Sequence, residues 1–393
     1  MSARSKKILM AVVVLLSWAG LFADRFYRVV PGATSEGVAR AEGYFSHDYF
    51  AARGRFRKKV NELGGRLSSI AIDAKGPGDE DLTIDIGWFG SSKPRRALLH
   101  SSGVHGVEGF AGSAIQLQLL DALSVIPANS ALVLVHVINP YGMAWRRRVN
   151  ENNVDLNRNF LAEPADYRGA PDGYAALDSF LNPTASQWPD LFIPKVMWLI
   201  ARHGLPTLRQ TVSGGQYEFP RGLFFGGKKL QQGPERLQQW LSEQLGSAES
   251  IVAVDVHTGL GKSGEDTLLV EDADYDRLRP LFGERVKGMN ADQGPAYQAR
   301  GTYVSMIARV LKNAHPRKLT QEFGTYNAVS ALRALRDENR AYHYDAVNPQ
   351  SQEKAVLKEA FCLADEGWRR RVLERGAELI EKAREVAFGG GEQ

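Results

Sequence analysis

Two residues three apart in Val104-His105-Gly106-Val107-Glu108-Gly109 place an imidazole beside a carboxylate. Together they can share one Zn2+, with a third protein ligand from elsewhere and an open position for water. The bland alternative is a solvated histidine next to a glutamate that favours a helix dipole. A third candidate ligand is His257, at the end of the β-branched run Ile251-Val-Ala-Val-Asp-Val-His257 before Thr-Gly-Leu-Gly261. Glu322 ends a similar run, Lys318-Leu-Thr-Gln-Glu322. Arg158 lies between Asn157 and Asn159, a setting suited to bidentate carboxylate binding. Of the consecutive Arg146, Arg147 and Arg148, at least one can turn inward while the others stay wet.

The elements that must position these groups read as an α/β protein with a doubly wound sheet. Arg96 to Ser102 has the pattern of a buried parallel strand, and Gly109 to Leu123 has helical apolar spacing. His105 and Glu108 therefore fall at a strand-to-helix turn, on the carboxyl edge of the sheet where ligands collect. Leu67 to Ile72 and Leu82 to Trp88 read as a hairpin across Lys75-Gly-Pro-Gly-Asp79, and Ala131 to Asn139 as another buried strand. His136, alternating with valines in that strand, reads as a satisfied sheet histidine. Residues 40 to 61, Lys195 to His203, Pro234 to Leu245, Asp276 to Met289 and Gln352 to Phe388 read as helical, the last as one long helix or a pair. Glu163 to Pro194, rich in Pro, Gly, Ala and Asp, reads as a long surface insertion walling a cleft. The glycines of Ser213 to Gly227 lack the strand and helix context of a phosphate loop, so no nucleotide is assigned.

Composition narrows the class. At 393 residues and 44% hydrophobic content the chain can bury a large core, and one domain over residues 40–388, with an insertion around 161–250, is favoured. A net charge of +4 with scattered arginines does not indicate nucleic acid. The single cysteine, Cys362, excludes internal disulfides and Cys-based zinc clusters and reads as a small core residue. Arg4, Lys6 and Lys7 precede an apolar run from Ile8 to Ala23, so residues 1–30 read as a signal peptide or membrane anchor. Either way the body should face the exported side, periplasmic or otherwise extracytoplasmic, with membrane anchoring through residues 8–23 as one outcome.

His105-x-x-Glu108, Asn139-Pro140-x-Gly142, the arginine cluster, Val154-Asp155-Leu156-Asn157-Arg158-Asn159-Phe160, His257 and Glu322 together resemble the zinc metallocarboxypeptidase superfamily, through a bacterial branch. The resemblance spans roughly residues 40 to 350, and the same fold hosts succinylglutamate desuccinylases and aspartoacylases. It implies a single-domain mixed sheet with helices on both faces. It implies one Zn2+ per chain, held by His105, Glu108 and His257, with Asp155 orienting His105. Glu322 would be general base and then acid for attack of a zinc-activated water on a carbonyl, and Arg147 or Arg148 would hold the oxyanion. Asn157 and Arg158 match a pair that binds a substrate's terminal carboxylate, and Tyr297 resembles a mobile tyrosine, with Tyr303 a competitor.

Three readings follow. One is an exported zinc carboxypeptidase cleaving C-terminal peptide bonds. Another is a zinc amidohydrolase acting on small N-acyl amino acids or cell-wall amides. The last is a catalytically silent, anchored binding module. The substrate expected under the first two is a peptide or an N-acyl amino acid.

Overall fold

In the computed structural model, residues 27–31, 42–186, 190–289 and 298–389 are described. Eight strands form one mixed sheet: β1 (Arg66–Lys75), β2 (Asp81–Gly90), β3 (Arg96–Ser102), β4 (Ser130–His136), β5 (Ser250–Ser263), β6 (Asp266–Val270), β7 (Val286–Gly288) and β8 (Arg317–Gly324). Their order is β1-β2-β4-β3-β5-β8-β6-β7. β4, β3, β5 and β8 run parallel, while the β1–β2 hairpin joins β4 antiparallel and β6 joins β8 antiparallel. The chain goes from β3 to β4 on one side and later returns to β5 on the other. That reversal opens a crevice at the carboxyl ends of β3 and β5.

Alternation along the parallel strands divides the core between two faces. Leu98, Leu132, Leu134, Val252 and Val254 pack with the helices Tyr49–Glu62, Gly109–Asp121 and Glu366–Phe388. Ala97, Leu99, Val133, Val135, Ile251 and Ala253 pack with the helices Gln232–Leu245 and Tyr303–Val310. Helices thus cover both faces, as the sequence suggests. Cys362 is buried in the first core.

Several elements differ from the sequence reading. Residues 40 to 61 give an α-helix only from Tyr49, where the Asp48 side chain accepts the Ala51 N–H and caps it. The Asp276 to Met289 helix ends at Phe282, because Gly283 adopts a positive φ and the chain turns into β7. The insertion is not a surface loop. It carries the helices Tyr174–Leu181 and Phe192–His203, followed by Leu205–Ser213, and Tyr174, Phe180 and Phe192 are buried in a third apolar cluster. Pro206 sits in the first turn of the last of these helices, where a missing N–H costs nothing. Ala328–Tyr344, a helix absent from the sequence reading, closes the cluster through Ala331, Ala334 and Leu335.

No helix among the described residues is long and apolar enough to cross a membrane. Ile8 to Ala23, and Tyr297, lie outside the described residues.

Candidate active site

After β3 the chain makes a single 3-10 turn, Gly106–Glu108, before entering the helix Gly109–Asp121. Gly106 is required there, since a Cβ would stand 2.0 Å from the backbone of Gly142. This close approach lets Gly106 and Val107 donate backbone hydrogen bonds to the carbonyls of Arg148 and Arg147. The arginine segment is thereby clipped to the loop that bears His105 and Glu108.

The two histidines are aimed alike. His105 Nε2 lies 3.0 Å from Asp155 Oδ1, and His257 Nε2 lies 2.8 Å from Asp255 Oδ2, which leaves both Nδ1 atoms facing Glu108. His105 Nδ1 is 2.9 Å from Glu108 Oε1 yet makes no hydrogen bond, so the approach has the wrong angle for N–H···O. One ligand atom from each of His105, Glu108 and His257 falls within 4.8 Å of the others, and all three residues are buried. Two inward imidazoles, each backed by a carboxylate, and one buried carboxylate form a donor set that fits a divalent cation of the zinc type. These residues, from the turn after β3 and from β5, are brought together by the fold.

Around them the charges are arranged in alternation. Glu108 accepts from Arg148 Nη1 (2.9 Å) and from the Thr258 N–H (3.0 Å). Burial alone would raise its carboxyl, but His105, His257 and Arg148 prevail and hold it well below the usual carboxylate range. Burial likewise works against ionised Asp155, and Arg148, His105 and Arg158 overcome it, leaving its pKa low. Burial disfavours charged His257, and Asp255 and Glu108 outweigh it, raising its pKa. Glu322 is the exception. It lies on β8 directly opposite His257 on β5, accepting the Leu260 N–H at 3.0 Å. Burial, reinforced by Glu108 and opposed by His257, pushes its carboxyl up to about 8. A nearby dication would favour its carboxylate and bring that value down.

The two candidate oxyanion arginines diverge. Arg148 lines the cleft beside His105, Glu108, His257 and Glu322. Arg147 is fully buried behind it, donating from Nε to Glu338 (2.8 Å) and from Nη2 to Asn153 (3.0 Å), with its guanidinium against the Tyr342 ring. Asn157 and Arg158 line the same cleft as the metal-ligand cluster. Arg158 donates to the carbonyls of Ser213 and Asn157 and packs against Gly215, whose φ of +96° and 2.6 Å clearance admit no side chain. Asn157 accepts the Tyr303 N–H. Tyr303 itself is buried in the second core, its ring tilted against that of Phe160. His136, inside β4, faces Ser113 Oγ at 2.9 Å and stays away from the cleft.

Asp255 has no assigned role in the sequence reading, although its place was legible: two residues before His257 on one strand, it must share a face with it. The cleft's outer wall includes Leu177 and Phe180, from the stretch read as walling a cleft; Leu199, Leu208, Val212 and Leu332, which continue it from the polar floor, had no place in that reading. The cleft takes in about 1430 Å³ of empty space, open solvent at its mouth included.

Among solved structures, the chain is similar to carboxypeptidase A from Helicoverpa armigera, at 14% identity over 93% of this chain and 80% of that one, with a TM-score of 0.48. It is also similar to a succinylglutamate desuccinylase from Silicibacter sp., at 14% identity over 71% and 67% of the two chains (TM-score 0.36). A third is the murein-tripeptide amidase MpaA from Escherichia coli O157, at 16% identity over 70% and 91% (TM-score 0.33). No curated protein matches the sequence. Residues 45–375 match the profile of the family described as protein of unknown function, DUF2817, and the chain belongs to that family.

Proposed function

We propose that the protein is a zinc-dependent hydrolase of amide bonds next to a terminal carboxylate, acting first of all as a carboxypeptidase. The observation that carries this reading is the pair of aspartate-backed histidines turning Nδ1 toward one buried glutamate, with a second glutamate across the strand pair. His105, Glu108 and His257 would hold the ion, whose Lewis acidity promotes attack of water on an amide carbonyl. Glu322 is the proton carrier: its carboxylate takes a proton from the attacking water and returns it to the leaving amine. Arg148, fixed by Glu108 and Asp155, presents its guanidinium where negative charge develops on the carbonyl oxygen. Arg158 and Asn157 anchor the terminal carboxylate of the substrate. Arg147 supports Arg148 through the backbone and the contacts to Glu338.

The apolar wall favours a second reading, an amidohydrolase of N-acyl amino acids, in which the group beyond the scissile bond is hydrocarbon rather than peptide. The test is turnover by the zinc-loaded protein on matched free-acid peptides, amidated peptides and N-acyl amino acids. Turnover requiring a free carboxylate supports the proposal, and equal rates on free-acid and amidated peptides reject it. We further propose that residues 8–23 direct export; a reporter fused after Phe45 that remains cytoplasmic would refute this.

A further inference from the structure

We infer that the cleft is built for an amphiphile, and that the substrate is an amino acid or short peptide carrying a long aliphatic acyl chain; this rests on the hydrolase reading above. The cleft is divided by chemistry. At the sheet edge stand His105, Glu108, His257, Glu322, Arg148 and Arg158. Away from that edge the lining becomes hydrocarbon, supplied mainly by three helices lying between β4 and β5 and by the helix after β8.

Those helices put Tyr174, Phe180 and Phe192 into the third apolar cluster but leave part of their apolar surface at its edge uncovered. Leu177, Ile200, Leu208 and Leu332 remain half-buried while lining the cleft. A fifth residue, Arg209, reaches the same cleft and, with Arg158, places cationic groups along it. A hydrocarbon-lined void next to cationic side chains is complementary to a carboxylate joined to an aliphatic tail. It is poorly matched to a polar peptide, whose unpaired amides would be desolvated against leucines. The four half-buried aliphatic residues gain from covering only if the ligand is apolar.

The experiment uses N-acylglycines from acetyl to hexadecanoyl, kept below their aggregation limit, and measures binding calorimetrically to zinc-loaded Glu322→Gln and turnover by the wild type. Affinity should rise by about fourfold per methylene until the chain fills the void, then level off. Leu208→Trp and Leu332→Trp, which fill part of the apolar wall, should move that plateau to shorter chains. A flat response from acetyl to hexadecanoyl in the folded protein overturns the inference, whether the void is filled by this chain's own apolar amino-terminal run or is simply not used. A plateau that stays put in both tryptophan variants overturns it as well. The two proposals fail separately. Chain-length-dependent binding with no turnover of any amide retains the amphiphile cleft and removes the hydrolase reading. Turnover of short substrates with no gain from length does the reverse.

Discussion

Four histidines lie on or just beyond the parallel strands of this sheet, and the pair packed against the helix Gly109–Asp121 differs from the pair at the crevice. His100 and His136, within β3 and β4, meet Gln116 and Ser113, and burial pushes both pKa values down to about 4, so they are neutral core residues. His105 and His257, at the crevice, each meet an aspartate through Nε2 and a shared glutamate through Nδ1. Residue type and burial are the same in the two regions. The carboxylate behind the ring is what differs, because it orients the imidazole and raises its basicity as a ligand.

The largest effect should come from removing a crevice histidine. His105→Ala or His257→Ala should abolish stoichiometric zinc in the purified protein, measured by elemental analysis, and activity with it. His136→Gln should retain both. Zinc retained in both alanine variants would erase the distinction between the two regions.

Glu322→Gln isolates the proton carrier from the ligands. It should keep zinc and lower kcat by roughly two to four orders of magnitude, since general acid-base help is worth about that much. A kcat near the wild-type value would move the role to another group.

Arg158→Ala should reduce the preference for free-acid over amidated peptides, itself expected at roughly three orders of magnitude, because a buried guanidinium left facing a neutral group loses its pairing. Matched kcat/KM values on the two substrates provide the measurement, and an unchanged ratio would place carboxylate recognition elsewhere, with Arg209 the next candidate.

The aspartates sharpen the comparison most directly. Asp255→Asn keeps the shape behind His257 but removes the charge, and should weaken zinc binding by about 10- to 100-fold in a chelator competition. An unchanged affinity would mean that ring orientation alone, not the carboxylate, separates the crevice histidines from the other pair.

How far these features were legible in the sequence follows from the range of the forces that set them. The strands, their parallel sense and the crevice position of His105, His257 and Glu322 are written in local periodicity, and β3, β5 and β8 form where Arg96 to Ser102, Ile251 to Gly261 and Lys318 to Thr325 indicate. Tertiary context fixed the rest. Glu163 to Pro194 is loop-like in composition, yet Tyr174, Phe180 and Phe192 find cover against Ala331 and Leu335, more than 130 residues later in the chain. Arg147 and Arg148 are adjacent and chemically identical; partners distant in the sequence, Glu338 for the one and Glu108 for the other, draw them apart.

The smallest effect tests the histidines packed against the helix Gly109–Asp121 on their own terms. His136 is buried, stacked on Phe56 at 4.6 Å, and depressed to about 4, whereas in the unfolded chain an imidazole titrates near 6.5. Between those values the unfolded chain binds the proton and the folded protein does not. The stability from keeping His136 neutral is therefore fully present above about pH 6.5 and is lost progressively as pH falls toward 4. From pH 7 to pH 6 the loss should be roughly 0.7 kcal/mol, set almost entirely by the unfolded value and so insensitive to where the folded one lies. Glu322 and His257 have raised pKa values and push stability the opposite way over the same interval, so the wild-type slope alone is not diagnostic. The informative quantity is the difference between wild type and His136→Gln in urea unfolding at the two pH values, on zinc-loaded protein, where the crevice groups are held by the ion in both. If the two proteins show the same change from pH 7 to pH 6, His136 is not the neutral sheet residue that its surroundings describe, and the line between the two pairs of histidines would have to be redrawn.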